Sequence, residues 1–373
     1  MDTISKLKNL SLSSKVSVSL EVPDEDYVLH IDSQPVKEYG ASAKVAASSS
    51  NKTVCVYRRN DLILQKSYGN FDKVIVDVKF IKNDWNLLYA ASKDGRIRGF
   101  DLRCKEDAVV SFDSDEINQL ITCFDIDCSG RLICAGTDKL NDPDEEDTVH
   151  LIFWDARKPQ ILGAYSDGHD DDITQVKFHP ENKDILASGS TDGLVNIFNV
   201  SEASEDDALQ MTLNTESSVA EIDWTGDKSD RLYCLTHTES LLVWESNEWD
   251  CIRKIQDIRE ETKKYSINYA ITLVQVDGHQ TLVAGTDRGN FHLFSLDDDK
   301  LDHLTGLELG HSDIVRCAKY DSEDQSLLTG GEDSLLCLWD HSVKSATETT
   351  RSKKLRKSTS VKTRPYSGRP SKR

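Results

Sequence analysis

A chain of 373 residues with 38% apolar content can hold two ordinary domains or one large β domain, and no apolar run in it approaches the roughly 18 residues needed to span a bilayer. Its nine cysteines (55, 104, 123, 128, 134, 234, 251, 317 and 337) form no CxxC pair, which argues against a zinc site and for buried free thiols in a reducing compartment. The net charge of −20 hides a split: residues 341–373 carry eleven Lys/Arg and one acid, Glu348, leaving 34 basic against 64 acidic residues in the body, which should repel phosphate backbones and attract basic partners.

In chain order, MDTISKLKNLSLSSKVSVSLEV lacks an unbroken apolar segment and does not read as a secretory signal. Residues 1–13 read as an N-terminal arm. SKVSVSLEV (14–22) alternates and reads as a strand. From there the chain is periodic. Apolar runs close on Tyr57-Arg58, Phe100-Asp101, Trp154-Asp155, Phe198-Asn199, Trp244-Glu245, Phe294-Ser295 and Trp339-Asp340, at steps of 43, 54, 44, 46, 50 and 45 residues. Each unit repeats one order. An alternating strand (VIVDVKF, 74–80; ITQVKFH, 173–179; IVRCAKY, 314–320) precedes a small-residue strand (LLYAASKDG, 87–95; ILASGSTDG, 185–193; LLTGGED, 327–333). A tight Asp turn and the aromatic-closed strand follow. Unit one lacks a clear Asp turn, and unit five has Glu239 in its place. Seven units at this spacing match four-stranded propeller blades.

Gly310-His311, Thr329, Asp333 and Trp339-Asp340 resemble a complete WD repeat; Gly168-His169, Ser188, Asp192 and Phe198 nearly match it. Over residues 15–343 the chain is similar to the WD-repeat β-propeller superfamily. The segments LICAGTDK, GAYSDGHDDDITQVKFHP, GSTDGLVNIF and SLLTGGEDSLLCLWD resemble the family of WD repeat-containing protein 89. The resemblance implies an all-β, seven-bladed propeller over 14–343, followed by a basic tail (344–373) whose composition reads as disordered. It also implies that Trp339 bonds Thr329, Thr329 bonds His311 and His311 bonds Asp333, with His169, Ser188 and Asp192 repeating the set. Such a chain satisfies buried polar groups and is structural rather than catalytic. Seven blades close only if the last, which supplies three strands, gains a fourth; 14–22 is expected to pair there and remove a raw edge.

In such propellers the loops leading into each blade and the Asp turns share one face. DSDE (113–116), the insertion TDKLNDPDEEDTV (137–149) and DGHDDD (167–172) should therefore lie together, while SEASEDD (201–207) and DDDK (297–300) project from the other face. The expected acidic docking face comprises Asp113, Asp115, Glu116, Asp144, Glu145, Glu146, Asp147, Asp170, Asp171 and Asp172. DPDEED lacks the spaced ligands and Gly of a calcium loop. In the tail, Lys353, Lys354, Arg356 and Lys357 form a cluster of the kind read by nuclear import machinery.

The leading expectation is a non-enzymatic interaction scaffold, an escort or assembly factor that binds a basic protein or peptide in the nucleus or cytoplasm. It would act as a monomer or within a complex, with no cofactor, no metal and no membrane; nucleic acid would be met only through the tail. The alternative rests on Trp154-Asp155-Ala156-Arg157 and Phe100-Asp101-Leu102-Arg103, which resemble the WD-x-Arg ending of cullin-4 ubiquitin-ligase substrate receptors, with Arg103 and Arg157 as adaptor contacts. No Gly-rich phosphate loop or nucleophile elbow points to an enzyme.

Overall fold

In the computed structural model the period becomes seven four-stranded antiparallel sheets. The structure describes residues 7–19, 26–104, 108–114, 117, 120–139, 148–296 and 300–341. Six blades are consecutive in sequence, spanning 28–68, 75–113, 121–165, 173–214, 219–255 and 269–307; the seventh begins at 315. Strands a to d of each blade run outward from a central axis. Residues of the a strands of all seven blades line a shared cavity of about 700 Å³.

Burial explains the sequence pattern. The a strands alternate because one face meets the cavity and the other packs into the molecule. The b and c strands are buried almost throughout, as in Ser326–Gly331 and Leu335–Asp340. Small residues are needed in strand b because the next blade packs directly on it: a Cβ on Gly330 would lie 2.4 Å from Val28 Cγ1. The apolar cores therefore sit between blades. One joins Phe80 and Val78 of blade two to Val54 and Val56 of blade one, and another joins Trp154 of blade three to Tyr89 and Phe112 of blade two.

The ring closes through the N-terminal segment. Strand Ser11–Ser17 pairs antiparallel with Leu335–Asp340, from Ser11 opposite Asp340 to Ser17 opposite Leu335, with a bulge between Leu12 and Ser14. It begins three residues before the expected start at 14, so residues 11–13 belong to the sheet. Leu7 and Leu10 are also buried, packed with Phe291 and Trp339, while Val18 is buried against the core between blades seven and one. A second brace crosses the same junction. Arg59 of blade one is 1% exposed; its guanidinium ion-pairs with Asp321 (3.4 Å) and Asp324 (3.3 Å) and donates to Ser326 Oγ (2.8 Å).

The blades are separate sheets, so other groups must cross between them. Each a strand carries a bulge near its start. Two residues past it stand Asp32, Lys79, Asp125, Lys177, Asp223, Val274 and Lys319 in blades one to seven. Sign alternates around the axis, and each lysine pairs with the aspartate of the following blade: Lys79–Asp125 at 2.6 Å, Lys177–Asp223 at 3.1 Å, and Lys319–Asp32. The aspartates reach onward, Asp32 accepting from the Phe80 amide (2.6 Å) and Asp125 from the Phe178 amide (2.7 Å). Neutral groups serve blade six: Thr272 Oγ1 donates to Glu221 (2.6 Å), and the Val315 amide donates to Tyr269 Oη (2.8 Å). Every junction is thus crossed by a hydrogen bond near the axis. All nine cysteines are free; five are buried, whereas Cys251 is exposed at the start of the outer strand of blade five.

Candidate interaction site

In blade seven the Trp339 indole N–H donates to Thr329 Oγ1 at 2.9 Å. The Thr329 hydroxyl is then free to donate to His311 Nε2 (2.8 Å), and His311 Nδ1–H donates to Asp333 Oδ1 (3.0 Å). Asp333 also accepts from the Ser312 amide (2.8 Å) and the Leu335 amide (3.1 Å), so it ties the loop into the blade to the b–c turn. All four side chains are buried. Gly310 makes room for this order: a Cβ there would lie 2.3 Å from Trp339 Cζ2. In blade four His169 stands 2.7 Å from Ser188 Oγ and 2.9 Å from Asp192 Oδ2. Phe198 offers no N–H there, and Asn196 enters instead. Its amide donates to the Gly168 carbonyl, and its Oδ1 accepts from Thr212 (2.7 Å). This is a packed polar chain inside a blade rather than a cleft.

Blade three differs. Ala135 occupies the position of Thr329, so the Trp154 indole donates to the backbone carbonyl of Asp113 at 3.3 Å. Asp113 is half-buried. The Glu239 carboxylate of blade five takes the Ala270 amide at 2.6 Å, so it ties two blades together.

Asp170 is exposed, while Asp171 and Asp172 are half-buried. Their loop is pinned. The Asp170 amide donates to Asp192 (3.1 Å), the Asp171 carbonyl accepts from Ser190 Oγ (2.9 Å), and Asp172 Oδ1 accepts from the Lys139 amide (2.8 Å). The last bond sets the described stem of the blade-three insertion beside the loop leading into blade four. Asp115, Glu116, Asp144, Glu145, Glu146 and Asp147 lie outside the described residues, as do Lys353, Lys354, Arg356, Lys357 and the rest of 344–373.

One placement needs correction. Segment 201–207 was expected on the face opposite 167–172, yet the Glu205 carboxylate accepts the Ser166 amide (2.7 Å) and the Asp167 amide (2.9 Å). The c–d connection of blade four thus meets the loop that leads into that blade. The acidic rim of blades three and four thereby gains a member.

Arg157 lies two-thirds exposed, but its Nε and Nη2 donate to Asp155 at 2.8 and 2.6 Å. Arg103 forks onto Asp101 in the same way and reaches Asp84 at 3.1 Å. The hydrogen bond from each arginine holds its aspartate below the ordinary carboxylate range. Both guanidinium forks are thus already engaged within the blade. The axial lysines escaped the sequence reading. Their signal was there in the residue before the strand-a aromatic, Lys in VDVKF and QVKFH but Asp in EIDWT, visible only once the blades are superposed.

The WD40 family, described as "WD domain, G-beta repeat", matches at residues 161–199 and 304–340, the two units with the His–Asp pair. With seven four-stranded blades the chain is a β-propeller, and its fourth and seventh units match the WD repeat. Along most of its length it is similar to WD repeat-containing protein 89 homolog of Dictyostelium discoideum, 29% identical over 79% of each chain. It is also similar to WD repeat-containing protein GTS1 of Arabidopsis thaliana, 27% identical over 72% of this chain and 69% of that one. The fold is one that serves as a scaffold for protein interaction.

Proposed function

We propose that this propeller is a non-enzymatic scaffold that holds a basic protein or peptide on the acidic rim of blades three and four, and that it serves in the nucleus as an escort or assembly factor. The observation that carries this reading is the loop 167–172. Three successive aspartates, Asp170, Asp171 and Asp172, stand on a loop whose backbone is held at Asp167, Asp170 and Asp171 by blade-four side chains, while the Asp172 carboxylate takes the Lys139 amide of blade three. Carboxylates on a fixed loop cost little loop freedom when a cation docks, so charge complementarity acts mainly on association rate and salt sensitivity. The body's excess of 64 acidic over 34 basic residues outside 341–373 adds long-range attraction.

The test uses a synthetic Lys/Arg-rich peptide as probe, titrated against the full chain by fluorescence anisotropy at two salt concentrations. Asp170→Asn with Asp171→Asn should weaken binding by about fivefold, close to 1 kcal/mol, and flatten the salt dependence. Unchanged affinity and salt slope would sink the reading. For placement, Lys353, Lys354, Arg356 and Lys357 are the signal: replacing all four with alanine should move a fluorescently tagged chain from nucleus to cytoplasm.

A further inference from the structure

The outer half of blade six holds two imidazoles that neither the polar chains nor the acidic rim employs. His292 lies on strand c (Phe291–Ser295) and His303 on strand d (Asp302–Leu307). Phe294 faces His303 in register and His292 faces Gly306, so the two histidines meet on a diagonal across one sheet face. His292 Nδ1 stands 3.0 Å from His303 Nε2, with the ring planes 50° apart. Gly306 allows the approach, because a Cβ there would sit 2.9 Å from His292 Nδ1. Tyr265, from the turn before blade six, stacks on His303 at 4.0 Å and 14°, and its ring lies 5.6 Å from that of His292. The stack fixes the ring plane of His303. Both histidines are half-buried. Burial holds each below the ordinary histidine range, aided at His303 by His292, Lys264 and Lys8, and opposed at His292 by Glu308.

We propose that His292 and His303 form a two-imidazole site for a divalent transition cation of borderline softness, Zn(II), Ni(II) or Cu(II). Two nitrogens 3.0 Å apart subtend close to a right angle at an ion about 2.0–2.1 Å from each, the bite of adjacent coordination positions. Without a cation, one ring must donate an N–H to the other. With one, both lone pairs point at the metal and each ring keeps its proton on the far nitrogen. No group of three or more His, Cys, Asp and Glu is assembled for a metal among the described residues, so the two imidazoles are the protein ligands that the site offers there. Tyr265 acts as a positioning residue, holding the ring plane of His303 as outer-shell partners do in metal sites.

The test titrates the full chain with Cu(II) in a non-coordinating buffer and reads the bound ion by electron paramagnetic resonance. One equivalent should show nitrogen hyperfine structure from two imidazoles. His292→Gln and His303→Gln should each lower affinity at least about tenfold and leave a one-nitrogen spectrum. His237→Gln, at an exposed histidine elsewhere, should change neither. Metal-free melts of the variants verify folding. A readout without variants is the melting temperature of the unaltered chain, which excess Zn(II) should raise by mass action. Wild-type affinity and spectrum in both glutamine variants, or no two-imidazole signal and no Zn(II) shift in the unaltered chain, would overturn the assignment.

Discussion

At the scale of the residue, stability follows from direction: every N–H and O–H in the blade-seven chain has one acceptor, and reversing or removing one leaves its neighbour buried without a partner. Asp333→Ala strands His311 Nδ1 and the Ser312 amide, and should cost about 1–3 kcal/mol, read as a lowered denaturation midpoint. Acid should act at the same place. Burial favours the neutral Asp333 carboxyl, but the hydrogen bond from His311, with the two amides, outweighs it and depresses its pKa. A depressed carboxylate stabilises the fold above the unfolded aspartate value of about 3.9, and that contribution is lost as pH falls through the folded value. Asp192 is depressed for the same reasons. Melting temperature should therefore fall from about pH 4 downward, and Asp333→Asn should flatten that limb; parallel limbs would remove Asp333 from the account. Gly310→Ala should also destabilise, by about 1–3 kcal/mol, because the indole of Trp339 cannot retreat. These residues were legible because the repeat writes the same four types at fixed offsets. Trp154 was less so. Its partner is a backbone carbonyl, which no side-chain pattern records, and Ala135 gave the only hint that the hydroxyl was missing.

At the scale of the element, the strand Ser11–Ser17 decides whether blade seven has three strands or four. Its alternation marked it as a strand, and the need to close a ring named its partner. Its first residue was not legible, since a strand end is set by where the partner's pairing stops, here at Asp340 opposite Ser11. Nor was the burial of Leu7 and Leu10, which look like any polar-flanked leucines until the ring brings Phe291 and Trp339 over them. Removing residues 1–19 bares the edge of Leu335–Asp340 and withdraws Leu7, Leu10 and Val18 from two cores. The loss should be at least about 3 kcal/mol, measured by urea unfolding, with edge-driven aggregation at higher concentration. A truncated chain that melts like the full one would remove this strand from the closure.

At the scale of the molecule, the alternating charges around the axis join blades that share no sheet hydrogen bonds. Burial opposes the charge on Lys79, but Asp125 and then Asp77 outweigh it and raise its pKa. Lys79→Met should cost about 1–3 kcal/mol, since Asp125 keeps its charge in a partly closed cavity and loses its cation. Adding Asp125→Leu should recover part of that loss, and a double-mutant cycle in urea measures the coupling. Strictly additive costs would mean that the pair does not lock blades two and three.

Local chemistry, repeated seven times, was enough to set blade number, strand order and the His–Asp chains, because a four-stranded blade buries the same faces wherever it sits. Closure in three dimensions decided the rest. Residues about 46 positions apart, such as Lys79 and Asp125, become neighbours only when consecutive blades turn about one axis. Glu205 meets Ser166, 39 positions earlier, only once blade four is packed beside the outer strand of blade three. His292 and His303 converge only through register and the missing Cβ of Gly306. Period is a property of neighbours along the chain; pairing between blades depends on angles that the chain acquires only when the ring is complete.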